Sequence, residues 1–538
     1  MLRSPDSFRA FEVSPTLKPL PPIPTVSMPH ADSVTDSGAI TDSGAITDSD
    51  AIDAIRLTAA NDHPVRADGD YVLYWMIAFR RPRYNHSLAR AVEHCRRLNK
   101  PLVILEPIRT RYRWASDRIH GFVIEGMRAN AAAFADKPVT YYPYVEPRPG
   151  TGTPLLHRLA EKACVVVTDE YPCFFLPHLI TAVRDRIPAR LELVDSNCVT
   201  PLRRPEKTFT VAHSYRRWVQ KNVFDDLSDM PQRDPIPDDL PRLDALPERI
   251  VRRWPKADLD HLLDGDGLAK IPIDHNVKRS SVVVGGVDQA DQRLDKFINE
   301  LLVHYANDRN HPDRRVTTTL SAYLHFGHIS SFEIVDRLIE AENWTPDRAG
   351  KVNGKQQGFW NMSPSAEAVM EQVLVWRELG FNMTHRDPDN YDRYESLPDW
   401  SQKTLEETLA DDRPEAYTLD DLEHSRTGDP LWNAAQREIV RTGIMQNYMR
   451  MLWGKKILQW TRTPREALET MVHLNNKYGL DGRDPNSYSG IFWVLGRYDR
   501  AWGPKRPIFG SVRYMTSDST RKKLKLTKYL ETFGDAST

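Results

Sequence analysis

The sequence predicts an α/β domain built on a doubly wound parallel sheet, followed by a large all-α domain and preceded by a polar tail. Between Tyr71 and Ser196, short apolar runs alternate with stretches of helical periodicity, the pattern of strand-helix-strand units in a parallel sheet. Beyond Gly285 and Gly286 the periodicity becomes almost wholly helical. The tail, residues 1–67, opens with Pro19, Pro21, Pro22 and Pro24 and runs into three TDSGAI-like hexapeptides from Thr35 to Ile52. These repeats are too short for a solenoid and too polar to bury a core, so the tail is read as disordered.

Within residues 68–200 the expected strands are YVLYWMI (71–77), PLVIL (101–105), VTYYPYV (139–145), CVVVTDE (164–170) and LELVDS (191–196). The expected helices lie between them, at His86–Leu98, Asp117–Phe134, Pro154–Lys162 and Pro177–Arg186. Sheets of this kind bind ligands at the carboxyl ends of their strands, but no G-x-G-x-x-G follows the first strand, so a standard dinucleotide fingerprint is absent. Residues 201–275 are rich in Pro, Asp and Arg and read as an interdomain linker with only short helical pieces. Residues 276–538 then form a helical domain large enough for an internal cofactor pocket.

Composition narrows the function classes. With 73 Lys and Arg against 74 Asp and Glu, the net charge of −1 excludes a wholly basic nucleic-acid-coating protein but allows a local basic face. The four cysteines, Cys95, Cys164, Cys173 and Cys198, form no C-x-x-C pair, which points away from zinc and disulfides and towards a reducing compartment. No secretory signal pattern and no run of 18 apolar residues occurs, so the expectation is a cytoplasmic protein with no membrane association. G-x-S-x-G and P-loop motifs are missing. His325 and His328 have no further ligand at metal spacing, and DPDNYD (387–392) lacks the calcium-loop glycine, so no metal is expected.

The residues that remain suggestive are aromatic and charged. Trp453 and Trp460 are seven apart on one expected helix, hence on one face and roughly 10 Å apart, a step that suits electron hopping as well as packing. Arg450 stands among Met445, Tyr448, Met449, Met451 and Trp453 and must meet an acidic partner or a ligand. The segment NNKYGLDGRDPNSYSG (475–490) places Asp481, Arg483 and Asp484 close together, in either a pocket floor or a surface turn. The basic runs RKKLKLTK (521–528) and RRW (216–218) read as solvated faces that could also track a phosphate backbone.

Five segments of the helical half, LSAYLHFGHISS, TGDPLWNAAQREIV, YMRMLWGKKILQWT, LNNKYGLDGRDPNSYSGIFW and RPIFGSVRYM, closely resemble class II cyclobutane pyrimidine dimer photolyases of the cryptochrome/photolyase superfamily. The likeness runs from about Gly285 to Tyr529; in the N-terminal half it rests on YWM and the strand order. It implies FAD in the helical domain, with Thr317, Thr318, Thr319, Leu320 and Ser321 at its diphosphate and ribityl chain and Tyr305 against the flavin. Arg450 and Asp481 resemble the ion pair beside the isoalloxazine, Asn475 the residue facing flavin N5, and Arg483 belongs to the same cofactor set. Trp432, Trp453 and Trp460 resemble the electron-transfer triad; Trp376 and Trp493 resemble the aromatic wedge for a flipped-out lesion, and Met451 lies at the dimer contact. Where the family carries a Glu that hydrogen-bonds the dimer, this chain has Gln372, with Glu371 adjacent and turned by about 100° on a helix.

The resemblance therefore implies a monomeric, light-driven DNA lyase acting on pyrimidine dimers, with an antenna chromophore, deazaflavin-type or other, in the α/β domain. The alternative reading is a cryptochrome-like photoreceptor that keeps FAD and the Trp chain and signals through a partner.

Overall fold

The computed structural model describes residues 52–534. The Pro-rich stretch and the hexapeptide repeat up to residue 51 lie outside the described residues. A six-stranded sheet comprises β1 (Leu57–Ala59), β2 (Tyr71–Trp75), β3 (Leu102–Ile108), β4 (Val139–Val145), β5 (Ala163–Asp169) and β6 (Arg190–Val194) in the order β1-β6-β5-β2-β3-β4. All neighbours are parallel except β1, which pairs antiparallel with β6. Helices α1 (His86–Leu98), α2 (Asp117–Ala133), α3 (Gly152–Ala160) and α4 (Leu176–Val183) connect the strands and cover both faces. The doubly wound parallel sheet is thus as expected, and four helices fall within two residues of their expected starts.

Two segments differ from expectation. β1 lies inside the segment read as tail, an edge strand three residues long whose alternation is too brief to register in the sequence. The segment read as linker holds a 17-residue helix, α5 (Ala212–Ser228), with Tyr215, Val219 and Val223 buried in the helical core. The reason is local: no proline occurs between Pro205 and Pro231, and the proline-dense string that follows coloured the whole segment.

The remaining helices are α6 (Glu248–Arg253), α7 (Leu259–Leu263), α8 (Val287–Lys296), α9 (Leu302–Asp308), α10 (Ser321–Phe326), α11 (Ser331–Ala341), α12 (Pro364–Met370), α13 (Glu378–Arg386), α14 (Asp399–Glu406) and α15 (Leu419–Glu423). They continue as α16 (Pro430–Thr442), α17 (Asn447–Trp460), α18 (Pro464–Tyr478), α19 (Pro485–Val494), α20 (Ser517–Lys523) and α21 (Thr527–Phe533). A π turn, Phe297–Leu301, links α8 to α9, and a second, Glu371–Arg377, links α12 to α13. No helix among the described residues is long and apolar enough to cross a membrane.

The α/β and helical lobes form one compact unit. At the switch point of the sheet, Asp169 at the end of β5 accepts the backbone N–H groups of Ile77, Ala78 and Phe79 at 2.9, 2.7 and 2.9 Å. The backbone after β2 is thereby pinned where α10 ends. There Gly327 adopts φ 75°, and an added Cβ would run into the Ala78 carbonyl, so this close approach of the two lobes requires glycine.

A second junction is electrostatic. Arg118, on α2, donates to the carbonyls of Ile439 and Val440 near the end of α16, of Tyr478 at the end of α18 and of Lys278, at 2.7–3.1 Å. Helix ends leave their last carbonyls without intrahelical partners, and one buried guanidinium satisfies two of them at once; burial pulls its pKa down to about 10. Arg118→Ala should therefore strand these carbonyls and lower stability by about 3 kcal/mol, read as a shift in the urea unfolding midpoint.

Candidate active site

Helix α17 starts at the N-cap Gln446, whose Oε1 accepts from Met449 N at 3.0 Å, and successive side chains along it serve different surfaces. Arg450 points inward and pairs with Asp481, Nη2 to Oδ1 at 3.0 Å, each side chain 13% exposed. This supplies the acidic partner that the apolar surroundings of Arg450 demand. Its Nε is buried with no protein partner.

Asp481 is presented by the turn from Gly479 to Asp484. Arg483 adopts φ 67°, the left-handed region, and its guanidinium donates to the carbonyls of Asn476, Gly479 (3.0 Å) and Leu480 (3.2 Å), while Asn476 Oδ1 accepts its backbone N–H at 2.8 Å. The strain of that backbone is held by these bonds. Arg483, assigned to the cofactor set from the sequence, is thus committed to its own loop and shapes the site through it. Asn475, one turn earlier on α18, is 1% exposed. Its Nδ2 donates to Ser487 Oγ at 2.7 Å, and its Oδ1 is buried without a partner.

The Thr317–Ser321 stretch leads into α10. Thr319 has φ 53°, its Oγ1 accepting from Arg293 at 2.9 Å and donating to the Thr318 carbonyl at 2.7 Å, while Leu320 N donates to Thr318 Oγ1 at 3.3 Å. Tyr305, on α9, stands edge-on to Phe297 at 5.4 Å, and burial raises its pKa. Fold contacts draw these elements together. The other end of α10 meets the 479–484 turn through His325 Nδ1 and Asp484 Oδ2 at 3.4 Å, and the end of α9 meets α17 where Gln446 Nε2 donates to Arg309 O at 2.8 Å. His328 is occupied differently: its Nδ1 accepts from Gly286 N at 3.1 Å.

The three tryptophans converge. Trp432, from α16, donates its indole N–H to the Trp453 carbonyl at 3.0 Å, and its ring lies 5.3 Å from that of Trp460, at 76°. Trp432 therefore touches both residues that the sequence places on one helix face, Trp453 at its backbone carbonyl and Trp460 at its ring. Trp453 donates to Gln436 at 2.8 Å; Trp460 donates to Glu415 at 2.8 Å and meets Tyr417 at 5.0 Å. All three are buried, and the chain of rings ends at the exposed Glu415.

Met451, next to Arg450, opens instead onto a groove with Tyr448, Trp493, Trp502, Arg513 and Lys523. Arg513 lies 5.4 Å from the Trp493 ring and 4.0 Å from the Trp502 ring, and Lys455, its pKa pulled down to about 7 by burial, lies 5.1 Å from Trp493. Trp502 and Arg513 are not singled out by the sequence; their only signal is that Arg513 lies inside the matched RPIFGSVRYM segment and Trp502 just before it. From the 521–528 run, Lys523 reaches this groove, with Arg521, Lys522, Lys525 and Lys528 exposed and Leu524 and Leu526 buried. Helix α19, which carries Trp493, packs on the Glu371–Arg377 turn, where Gln372 and Trp376 are the half-buried members of an otherwise buried segment. Glu371 does not share that open face: its carboxylate is held by Arg216. The RRW run, read as a solvated face, thus contributes a buried Arg216.

A further cavity lies at the carboxyl ends of the strands, between the lobes. Trp75, Leu105, Tyr144, Phe174, His325 and Arg483 are among its walls. It is the position that the switch-point rule assigns to a ligand in a doubly wound sheet.

The residues present fit a flavin. A buried guanidinium N–H and a buried amide oxygen, Arg450 Nε and Asn475 Oδ1, lack protein partners, and buried polar groups in native proteins are satisfied by something. Asp481→Asn should leave Arg450 without its countercharge, at a cost of about 3 kcal/mol. The expected outcome is a chain that keeps its helical circular-dichroism signal but releases much less than one FAD per chain on denaturation.

No family model matches the chain. It is 31% identical over 484 residues to a deoxyribodipyrimidine photo-lyase of Methanothermobacter thermautotrophicus, covering 89% of this chain and 98% of the relative. It is 31% identical to the enzyme of that name from Oryza sativa subsp. japonica, over 86% and 87% of the two chains, and 30% identical to that of Arabidopsis thaliana, over 85% and 88%. A bacterial class III photolyase from Agrobacterium tumefaciens shares the fold, with a TM-score of 0.58 at 16% identity over 86% of each chain. At that identity, sustained over nearly the whole length of its relatives, the chain belongs to the deoxyribodipyrimidine photolyase family.

Proposed function

We propose that this chain is a light-driven DNA lyase of the class II type, which uses FAD to split cyclobutane pyrimidine dimers. The observation that carries the reading is the double duty of α17: Arg450, with an unpartnered Nε, faces the core, and its neighbour Met451 faces the groove that holds Trp493. When bound, reduced FAD excited by light would lend the single electron that opens the cyclobutane ring and take it back once the two pyrimidines have separated.

The protein's own groups do the rest. The Arg450–Asp481 pair holds a guanidinium donor, its charge balanced, towards the flavin, and Asn475 Oδ1 offers an acceptor. Thr317 to Ser321 and Tyr305 line the approach for the cofactor's diphosphate and ribityl chain. Trp376 and Trp493 stack on the flipped pyrimidines, Met451 packs against them, and the Gln372 amide donates to a pyrimidine carbonyl. The exposed lysines of the 521–528 run follow the phosphates, so affinity for DNA falls with salt. The cavity between the lobes is the seat we assign to the antenna chromophore, its aromatic walls suiting a planar ring system. The four buried free thiols accord with a cytoplasmic site of action.

Gln372 favours a second reading. An amide donates a hydrogen bond but cannot hold a proton in reserve as a carboxyl group does, so a cryptochrome-like photoreceptor remains the competing function. Illuminating reduced protein with dimer-containing DNA and counting restored thymines decides between them. Repair is expected, at reduced quantum yield, and Gln372→Glu should raise that yield roughly twofold or more with little change in lesion affinity, because the added interaction strengthens only as charge develops. No repair by either protein, with FAD bound, would favour signalling.

The indole chain gives an independent test. Phe in place of Trp432 keeps most of the volume but removes the readily oxidised ring that bridges Trp453 and Trp460. Photoreduction of bound FAD by external thiol should slow by about tenfold or more if each electron crosses this gap, while flavin content stays normal.

A further inference from the structure

We propose that Glu371, clamped by Arg216, is a positioning residue that sets the stance of Trp376 against the substrate; this role rests on the repair reading above. The π turn Glu371–Arg377 interrupts what would otherwise be one continuous helix from α12 to α13. Such turns are rare and often sit at functional sites, and this one is held from outside by α5, an element absent from the expected fold.

Arg216 donates Nε to Glu371 Oε2 at 2.8 Å and Nη2 to Oε1 at 2.5 Å, and its Nη1 donates to the Gly354 carbonyl at 3.0 Å. The fork is fully committed, and both side chains are buried, 7% exposed each. A bidentate pair of this kind fixes direction as well as distance. Burial pushes the Glu371 carboxyl up, against Arg216, Arg309 and the Trp376 indole, which favour its charged form.

Trp376 is five residues beyond Glu371. In an α-helix the two would be turned about 140° apart; the wider i→i+5 turn cuts that offset and brings them towards the same side. The extra residue therefore turns Trp376 towards Glu371, whose carboxylate its indole meets, while the ring stays half-buried like Gln372. Since both Glu371 oxygens are taken by Arg216, Glu371 acts on the substrate through Trp376. Arg216, Glu371 and the turn form one device: remove either charge and the indole loses the anchor that fixes its plane.

The test is a double-mutant cycle on the full chain, with Glu371→Gln, Arg216→Met and the double variant. It reads equilibrium binding to a duplex with one thymine dimer and to the same duplex undamaged, alongside FAD per chain. Each single change should cut the preference for the damaged duplex roughly five- to tenfold, leave affinity for undamaged DNA within about twofold, and the double should lose no more than either single. Arg216→Lys keeps the charge without the fork and should fall in the same direction, which preserves the test if Arg216→Met fails to retain FAD. A loss confined to Glu371→Gln would mean that Glu371 touches the dimer itself, and an undiminished preference in both singles would mean the pair is only packing; either result overturns the proposal. Wild-type protein with no preference for damaged DNA would overturn the repair reading, and this role with it.

Discussion

The turn from Gly479 to Asp484 is the constraint on which the site depends. Arg483 binds three carbonyls of its own loop and the end of α18, and that staple holds a left-handed residue in place. Once it is set, Asp481 is aimed at Arg450, and Asp484 caps α19 by accepting from Asn486 N at 2.8 Å. Asp484 also accepts from Tyr171, in the loop after β5, at 2.9 Å. A single short segment thus fixes the ion pair of the core, the start of the helix that carries Trp493, and a junction with the α/β lobe. Arg118 reinforces it by satisfying the carbonyl of Tyr478 at the same helix end.

Buried arginine is the recurrent device of this fold. Arg118, Arg216 and Arg483 have their donors met by carbonyls or carboxylate. Arg450 has one strong partner and a free Nε. A guanidinium cannot shed its charge to escape burial, so each must be neutralised or solvated by fixed groups. Fully met, it clamps the fold; Arg450 keeps one unmet donor, and Asn475 Oδ1 is likewise buried without a protein partner.

Much of this was legible beforehand. The α1 bounds agree with the expected His86–Leu98, and the five long strands overlap their expected runs, because apolar alternation with helical periodicity is a local property. The residues Arg450, Asp481 and Asn475 stand out in their motifs, and the structure pairs Arg450 with Asp481. Three features were not legible. A three-residue edge strand carries too few positions to show a period, α5 was hidden by the prolines that follow it, and a π turn leaves nearly the same apolar pattern as an α-helix.

The sequence by itself determined the order of elements, the identity of the α/β and helical lobes, and the helices on which the Trp, Arg and Asn residues ride. Those follow from interactions within a few positions along the chain. Only the tertiary structure decided that Trp432 touches both Trp453 and Trp460, that Glu371 belongs to an arginine 155 positions away, and that Arg118 of one lobe caps helices of the other some 320 to 360 positions on. Such pairings are chosen by which buried charges and hydrogen-bond donors the packing brings within reach of each other. Their cost is desolvation, a property of the folded interior that no local pattern encodes.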